Sequence, residues 1–257
     1  MPNRDTVAQR ASQLADDLAS GFGLLSRLPV PTRAFTGARS VWVWPLVGAG
    51  IGLVAGLVGM AAAWAGLPPG VTAAMVMAVG VILTGAMHED GLADSADGLF
   101  GGWTPERRLE IMKDSRIGSY GMLALMLVGL ARWAALTALI TAAPGLLVPT
   151  LIAAGVLSRA PMAVMMALMP NARQGGLSAG AGRPPLPRAL LACAIALAMA
   201  GAVSPDVTVF ALAASLPALG MALLAQRRIK GQTGDILGAA QHLSDTAILI
   251  AASAILS

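Results

Sequence analysis

Between Ser40 and His88 the chain runs for 49 residues without one Asp, Glu, Lys or Arg. No soluble domain can cover such a run with water-facing groups. It is long enough for two bilayer-crossing helices of about 20 residues each. The whole chain agrees: 56% of residues are hydrophobic, 12% are charged and the mean hydropathy is +0.74. An ordinary soluble domain carries about 25% charged residues. A disordered chain, a collagen-like fibre and a soluble globule are therefore excluded. A membrane β-barrel would alternate apolar and polar residues in segments of about 10. The apolar runs here are continuous, so the expected fold is all-α: a polytopic membrane helix bundle forming one domain over 1–257. The single cysteine, Cys193, can form no intrachain disulfide and reads as an inert packing residue.

Seven spans are expected, at roughly 41–64, 71–87, 119–142, 146–169, 188–204, 207–225 and 243–257. Pro68-Pro69-Gly70, Pro144-Gly145 and Ser204-Pro205-Asp206 divide neighbouring spans. Of the 17 basic residues, Arg132 and Arg159 fall inside spans, and the other 15 all lie in alternate connections. By the positive-inside rule those connections face the cytoplasm. The N-terminus is then cytoplasmic, in a multi-pass protein of the inner membrane. The same rule accounts for the pI near 10.2 without a nucleic-acid partner. The segment 1–40 is no signal peptide, since it holds Asp5, Asp16 and Asp17 and lacks an apolar core. Val7, Ala11, Leu14, Leu18, Phe22 and Leu25 recur at helical spacing, which predicts an amphipathic helix on the inner leaflet or against the bundle. Trp42 and Trp44 would follow at headgroup level.

Seven of the 13 acidic residues fall between Glu89 and Asp114. Asp90, Asp94 and Asp97, spaced by 4 and 3, share one helical stripe. Three carboxylates in a row repel one another, and a divalent cation would relieve that. Carboxylate oxygen suits Mg²⁺ or Mn²⁺. A solvated acidic loop is the plain alternative. Zinc is disfavoured, with two histidines and no cysteine cluster. His88 reads as a proton-transfer group, a substrate anchor or a structural residue, and His242 as structural. Thr104-Pro105 marks a helix start. Lys113, Asp114 and Arg116 cluster where that helix should end before Gly118. They suit a phosphate-bearing substrate, or simply complement the helix dipole. Gly231-Gln-Thr-Gly-Asp-Ile-Leu-Gly238 offers close backbone approach and the oxygens of Thr233 and Asp235; a turn before the last helix would explain it as well. Arg132 and Arg159 are costly in a bilayer and should face inward, toward an acidic group or a structural hydrogen bond. Together these residues predict a cytoplasm-facing carboxylate–metal site in 88–118 and 226–242, suited to diphosphate chemistry at a membrane.

The motifs also carry a resemblance. Arg27-Leu-Pro-Val-Pro31, Pro45-Leu-Val-Gly48, His88-Glu-Asp-Gly-Leu-Ala-Asp-Ser-Ala-Asp-Gly98, Ile111-Met-Lys-Asp-Ser-Arg-Ile-Gly118, Ser158-Arg159 and Gly231-Gln-Thr-Gly-Asp-Ile-Leu-Gly238 occur in this order. The chain resembles the cobalamin synthase family, the adenosylcobinamide-GDP ribazoletransferases, along nearly its whole length. The resemblance implies an Mg²⁺-dependent inner-membrane enzyme that joins α-ribazole or its 5′-phosphate to adenosylcobinamide-GDP and releases GMP. The site expected on both grounds comprises His88, Asp114 and Asp235 for the chemistry. Lys113, Arg116, Arg159, Gln232 and Thr233 would bind substrate, and Asp90, Asp94 and Asp97 the metal. The partners are those two substrates and the bilayer, with oligomeric state open. Asp94-Ser-Ala-Asp97-Gly98 also looks like the start of the CDP-alcohol phosphotransferase motif, but the Ala-Arg continuation is missing. A secondary transporter is the reading furthest from this one, and no internal repeat supports it.

Overall fold

A computed structural model describes residues 4–256, with side chains from residue 9 onward. Val7 and Arg4 thus lie outside the described side chains. Helix α1 (Arg4–Leu25) is followed by a 3-10 helix (Gly37–Val43) that runs into α2 (Trp44–Trp64). Then come α3 (Pro69–Thr84), α4 (Met87–Gly101), α5 (Pro105–Ile111), α6 (Ser119–Ala142) and α7 (Leu147–Leu168). Helices α8 (Leu177–Ala181), α9 (Leu186–Val203), α10 (Val207–Ile229) and α11 (Gly234–Ile255) complete the chain. The described residues form no β-sheet, only an isolated bridge between Asn171 and Gln232. The all-helical expectation holds.

Five segments are long and apolar enough to cross a bilayer: Gly37–Trp64, Ser119–Ala142, Pro144–Leu168, Leu186–Val203 and Val207–Ile229. The expected second and seventh spans take a different form. Helix α3 has 16 residues, and α4 leaves it at 88°. Gly85 (φ 65°) and Ala86 (φ 60°) make that corner, both left-handed; Gly85 adopts this conformation without cost, Ala86 does not. Helix α4 therefore turns away from the α3 direction instead of prolonging it. The seventh stretch is the second half of α11, which already begins at Gly234. Gln241, His242 and Asp245 interrupt its apolar character, and all three are buried.

Helix α7 is the centre of the bundle: 78% of its apolar window is buried, against 17–44% for the other four spans. It packs on α2, α9, α10 and α11. Its crossing with α2 rests on paired glycines. A Cβ at Gly48 would lie 2.0 Å from the Gly155 carbonyl oxygen, and one at Gly155 2.2 Å from that of Gly48. Small residues let membrane helices approach backbone to backbone.

The turns that follow α6 and α9 carry no basic residue and meet at one end, where Leu139, Leu146, Ser204, Pro205, Asp206 and Leu256 line a common hollow. The basic connections gather at the other end. Arg188 donates to Asp17 (2.9 Å) and to the Arg39 carbonyl (3.1 Å), and Arg108 donates to the Arg228 carbonyl (3.1 Å). Asp17 also accepts from the Trp42 indole at 3.0 Å. Burial by itself would raise its pKa; hydrogen bonds, led by that of Trp42, outweigh burial and hold it below the ordinary value. Thus the second half of α1 is pinned to the bundle, while Leu14 and Leu18 stay exposed. Trp44, expected at the headgroups, is instead a core residue, 2% exposed.

Candidate active site

Two motifs separated by more than a hundred residues meet because glycines let their helices touch. A Cβ at Gly91 on α4 would lie 2.8 Å from the Asp235 carbonyl oxygen and 3.3 Å from the Gly238 Cα. This contact sets Asp90 beside Asp235. Both line one cleft of about 290 Å³, with His88, Arg173 and Gly234.

The connection between α7 and α9 forms the far wall. It is zipped to the segment before α11: the Ala172 N–H donates to the Gln232 carbonyl (2.9 Å) and the Gln232 N–H to the Pro170 carbonyl (2.8 Å). The Gln232 amide donates to Asn171 Oδ1 and accepts from the Ser178 hydroxyl at 2.9 Å. Thr233 caps α11, accepting from the Ile236 N–H at 3.3 Å, and donates to Asp235 Oδ2 at 3.1 Å. The zipper delivers Arg173 to the cleft, where its guanidinium meets Asp235 Oδ2 at 3.0 Å. Its other terminal nitrogen, Nη1, is buried without a partner.

The acidic stripe splits. Asp97 turns away: its Oδ2 accepts from the Gly118 N–H (2.7 Å) and its Oδ1 from the Gly121 N–H (2.9 Å). It thereby caps the start of α6, where helix N–H groups lack internal partners. Asp94 stays half-buried, and its pKa is pushed up to about 7, first by burial and then by the charges of Asp90, Asp235 and Asp97. Among the described residues no three His, Cys, Asp or Glu side chains stand close enough to hold an ion by themselves. Mg²⁺ does not need three, since it is commonly held by one or two carboxylates plus water and substrate phosphate. The hard oxygen donors and the crowded negative charge fit it.

Sequence reasoning placed His88, Asp90 and Asp235 together, and they line one cleft. It did not find Arg173, which was only one basic residue of a cytoplasmic connection. Lys113, Asp114 and Arg116 line neither this cleft nor the cavity behind it. They lie exposed beyond α5, where Arg116 Nη2 pairs with Asp114 at 2.8 Å. That pairing draws the Asp114 pKa down to about 2. Gln232 and Thr233 organise the wall instead of facing the cleft. Arg159 lies deeper, donating to the Gly155 carbonyl (3.0 Å) and approaching His88 Nε2 at 3.4 Å. Arg132 pairs with Asp245.

Fold and cleft define a multi-pass helical membrane protein with an acidic site at the charged end of its bundle. The family model described as cobalamin-5-phosphate synthase matches residues 17–253, and the chain belongs to that family. A relative from Bradyrhizobium diazoefficiens named adenosylcobinamide-GDP ribazoletransferase is 43% identical over 244 residues, covering 93% of each chain. Relatives of the same name from Mesorhizobium japonicum and Azorhizobium caulinodans are each 41% identical, covering 95% of both chains and 94% and 96% respectively. No solved structure matches the chain.

Proposed function

We propose that this protein is an adenosylcobinamide-GDP ribazoletransferase of the inner membrane, with its N-terminus and cleft in the cytoplasm and with Mg²⁺ as cofactor. A ribose hydroxyl that α-ribazole and its 5′-phosphate both leave free bonds through its oxygen to the cobinamide-proximal phosphorus, giving up its proton. The bridging P–O bond breaks and GMP leaves. Family membership supports the reaction. The observation that carries its placement is the cleft where Asp90, Asp235 and Arg173 converge from three separate parts of the chain.

Asp90 and Asp94 are the metal ligands in this reading. The Asp97 carboxylate is committed to α6. Asp90 and Asp94 would hold Mg²⁺, which would supply positive charge for a diphosphate and its leaving group. Arg173 turns its unpartnered Nη1 to a phosphate oxygen, where a charge-assisted bond is strong. Asp235 spends Oδ2 on Arg173 and Thr233, so Oδ1 is left to take the hydroxyl proton. His88 orients that hydroxyl. A guanidinium can only donate, so the Arg159 approach makes Nε2 the bare nitrogen and leaves Nδ1–H to donate to substrate.

The test is GMP release by the purified protein given adenosylcobinamide-GDP, α-ribazole and Mg²⁺. Release that needs all three supports the reading. CMP released from a CDP-alcohol, with no GMP released, would replace it with a phospholipid-type transferase.

A further inference from the structure

Behind the cleft lies a second cavity of about 210 Å³, enclosed by α2, α3, α6, α7 and α11 and reached past His88, which lines both. One side is apolar, with Ile51, Val76, Leu125 and Leu151. The other carries Glu89, Arg132, Arg159, Gln241, His242 and Asp245. Two guanidinium groups face two carboxylates, so the charges cancel. Arg132 is bonded to Asp245, and His242 Nδ1 stands 3.6 Å from Glu89.

Four polar atoms around this cavity have no partner: His88 Nδ1, Glu89 Oε2, Arg159 Nε and Gln241 Oε1. His88, Arg159 and Gln241 are each at most 3% exposed. Buried polar groups are nearly always hydrogen-bonded, so four orphans around one hollow mark a place for something polar. Arg159 Nε and His88 Nδ1 are donors; Glu89 Oε2 and Gln241 Oε1 are acceptors. Their complement is a group that both accepts and donates, which describes hydroxyls. Charge balance asks for an uncharged portion of ligand, and the apolar side asks for a ring. The volume lies below the ~300–1,000 Å³ usual for drug-sized ligands, which shuts out a macrocycle.

We propose that this cavity is the acceptor site: it takes the sugar–base portion of the riboside, with the hydroxyls on the four orphaned atoms. The reactive ribose hydroxyl then projects past His88 toward the carboxylates. The inference rests on the reaction proposed above and assigns its two substrates to two cavities.

The experiment measures GMP release while each substrate is varied with the other saturating. Gln241→Leu and Glu89→Gln should each raise the KM for α-ribazole at least tenfold, and that for its 5′-phosphate alike, with the KM for adenosylcobinamide-GDP within twofold. Gln241 also donates to the Ser158 hydroxyl at 3.0 Å. Ser158→Ala removes that bond, together with the 3.4 Å bond from the Ser158 hydroxyl to the Gly155 carbonyl, and should leave both KM values near the unaltered ones. Unmoved acceptor KM in both variants would mean a cavity holding water only and would overturn the proposal, as would donor and acceptor KM rising together. If the unaltered protein releases no GMP, the reaction itself falls and this assignment with it.

Discussion

Asp90 and Asp97 sit two turns apart on one face of α4, yet they serve opposite ends. At the N-terminal half, Gly91 admits α11, and Asp90 opens into a cleft with Asp235 and Arg173. At the C-terminal half, Asp97 is buried and accepts two backbone N–H bonds from the start of α6. The three aspartates share one helical stripe. What differs is the helix each one meets. An apparent ligand stripe thus divides into a half that lines a cleft and a half that caps a helix, and the division is made by tertiary packing.

The largest expected break in this comparison comes from the contact that creates it. Gly91→Val should force α4 and α11 apart, since even a Cβ meets the Asp235 carbonyl at 2.8 Å. Overpacking of this kind costs about 1–3 kcal/mol. GMP release should vanish and Tm should fall, both read on the purified protein. Next, Arg173→Ala should raise the KM for adenosylcobinamide-GDP by 10-fold to 100-fold, because a hydrogen bond to a charged group is worth about 1.5–3 kcal/mol. An unchanged donor KM would remove Arg173 from the site. Asp97→Ala should cost about 1–3 kcal/mol of stability through the orphaned N–H groups of α6. Denaturation would show this as a lower midpoint. Smallest of all is Arg116→Ala. Its guanidinium is 87% exposed and paired only with Asp114, so stability should stay within about 0.5 kcal/mol and donor KM within twofold. A large rise in donor KM would return the α5–α6 connection to the active site.

Much of this was legible in the chain. Charge-free runs announced the spans because a bilayer leaves them no other place. Thr104-Pro105 announced α5, whose N-cap oxygen does accept from the Arg107 N–H. The 88° corner was not legible, because the left-handed pair Gly85-Ala86 looks like any small-residue stretch within an apolar run. The early start of α11 was hidden by Gln241 and His242, polar residues that read as a loop until burial shows them lining a cavity. Among the site residues, Asp90 and Asp235 could be read from their motifs. Arg173 could not: its position depends on the Asn171–Gln232 zipper, a contact between segments about sixty residues apart. Lys113 and Arg116 lie outside both cavities, on the connection beyond α5. Near one another in sequence, Asp114 and Arg116 simply satisfy each other.

The central claim is that the stripe divides between chemistry and structure, and paired measurements on Asp94→Asn and Asp97→Asn test it most directly. Both substitutions remove one charge and keep the shape. For each variant, GMP release is followed against Mg²⁺ concentration and Tm is measured without the metal. The account predicts that Asp94→Asn melts no lower than the unaltered protein, since repulsion among the crowded carboxylates is relieved. Its Mg²⁺ requirement should rise and its turnover fall steeply, as metal stabilisation of transition-state charge is worth several kcal/mol. Asp97→Asn should lower Tm while its Mg²⁺ curve keeps the same midpoint. An Asp94→Asn curve that overlies the unaltered one, or an Asp97→Asn midpoint shifted with no loss of Tm, would contradict it.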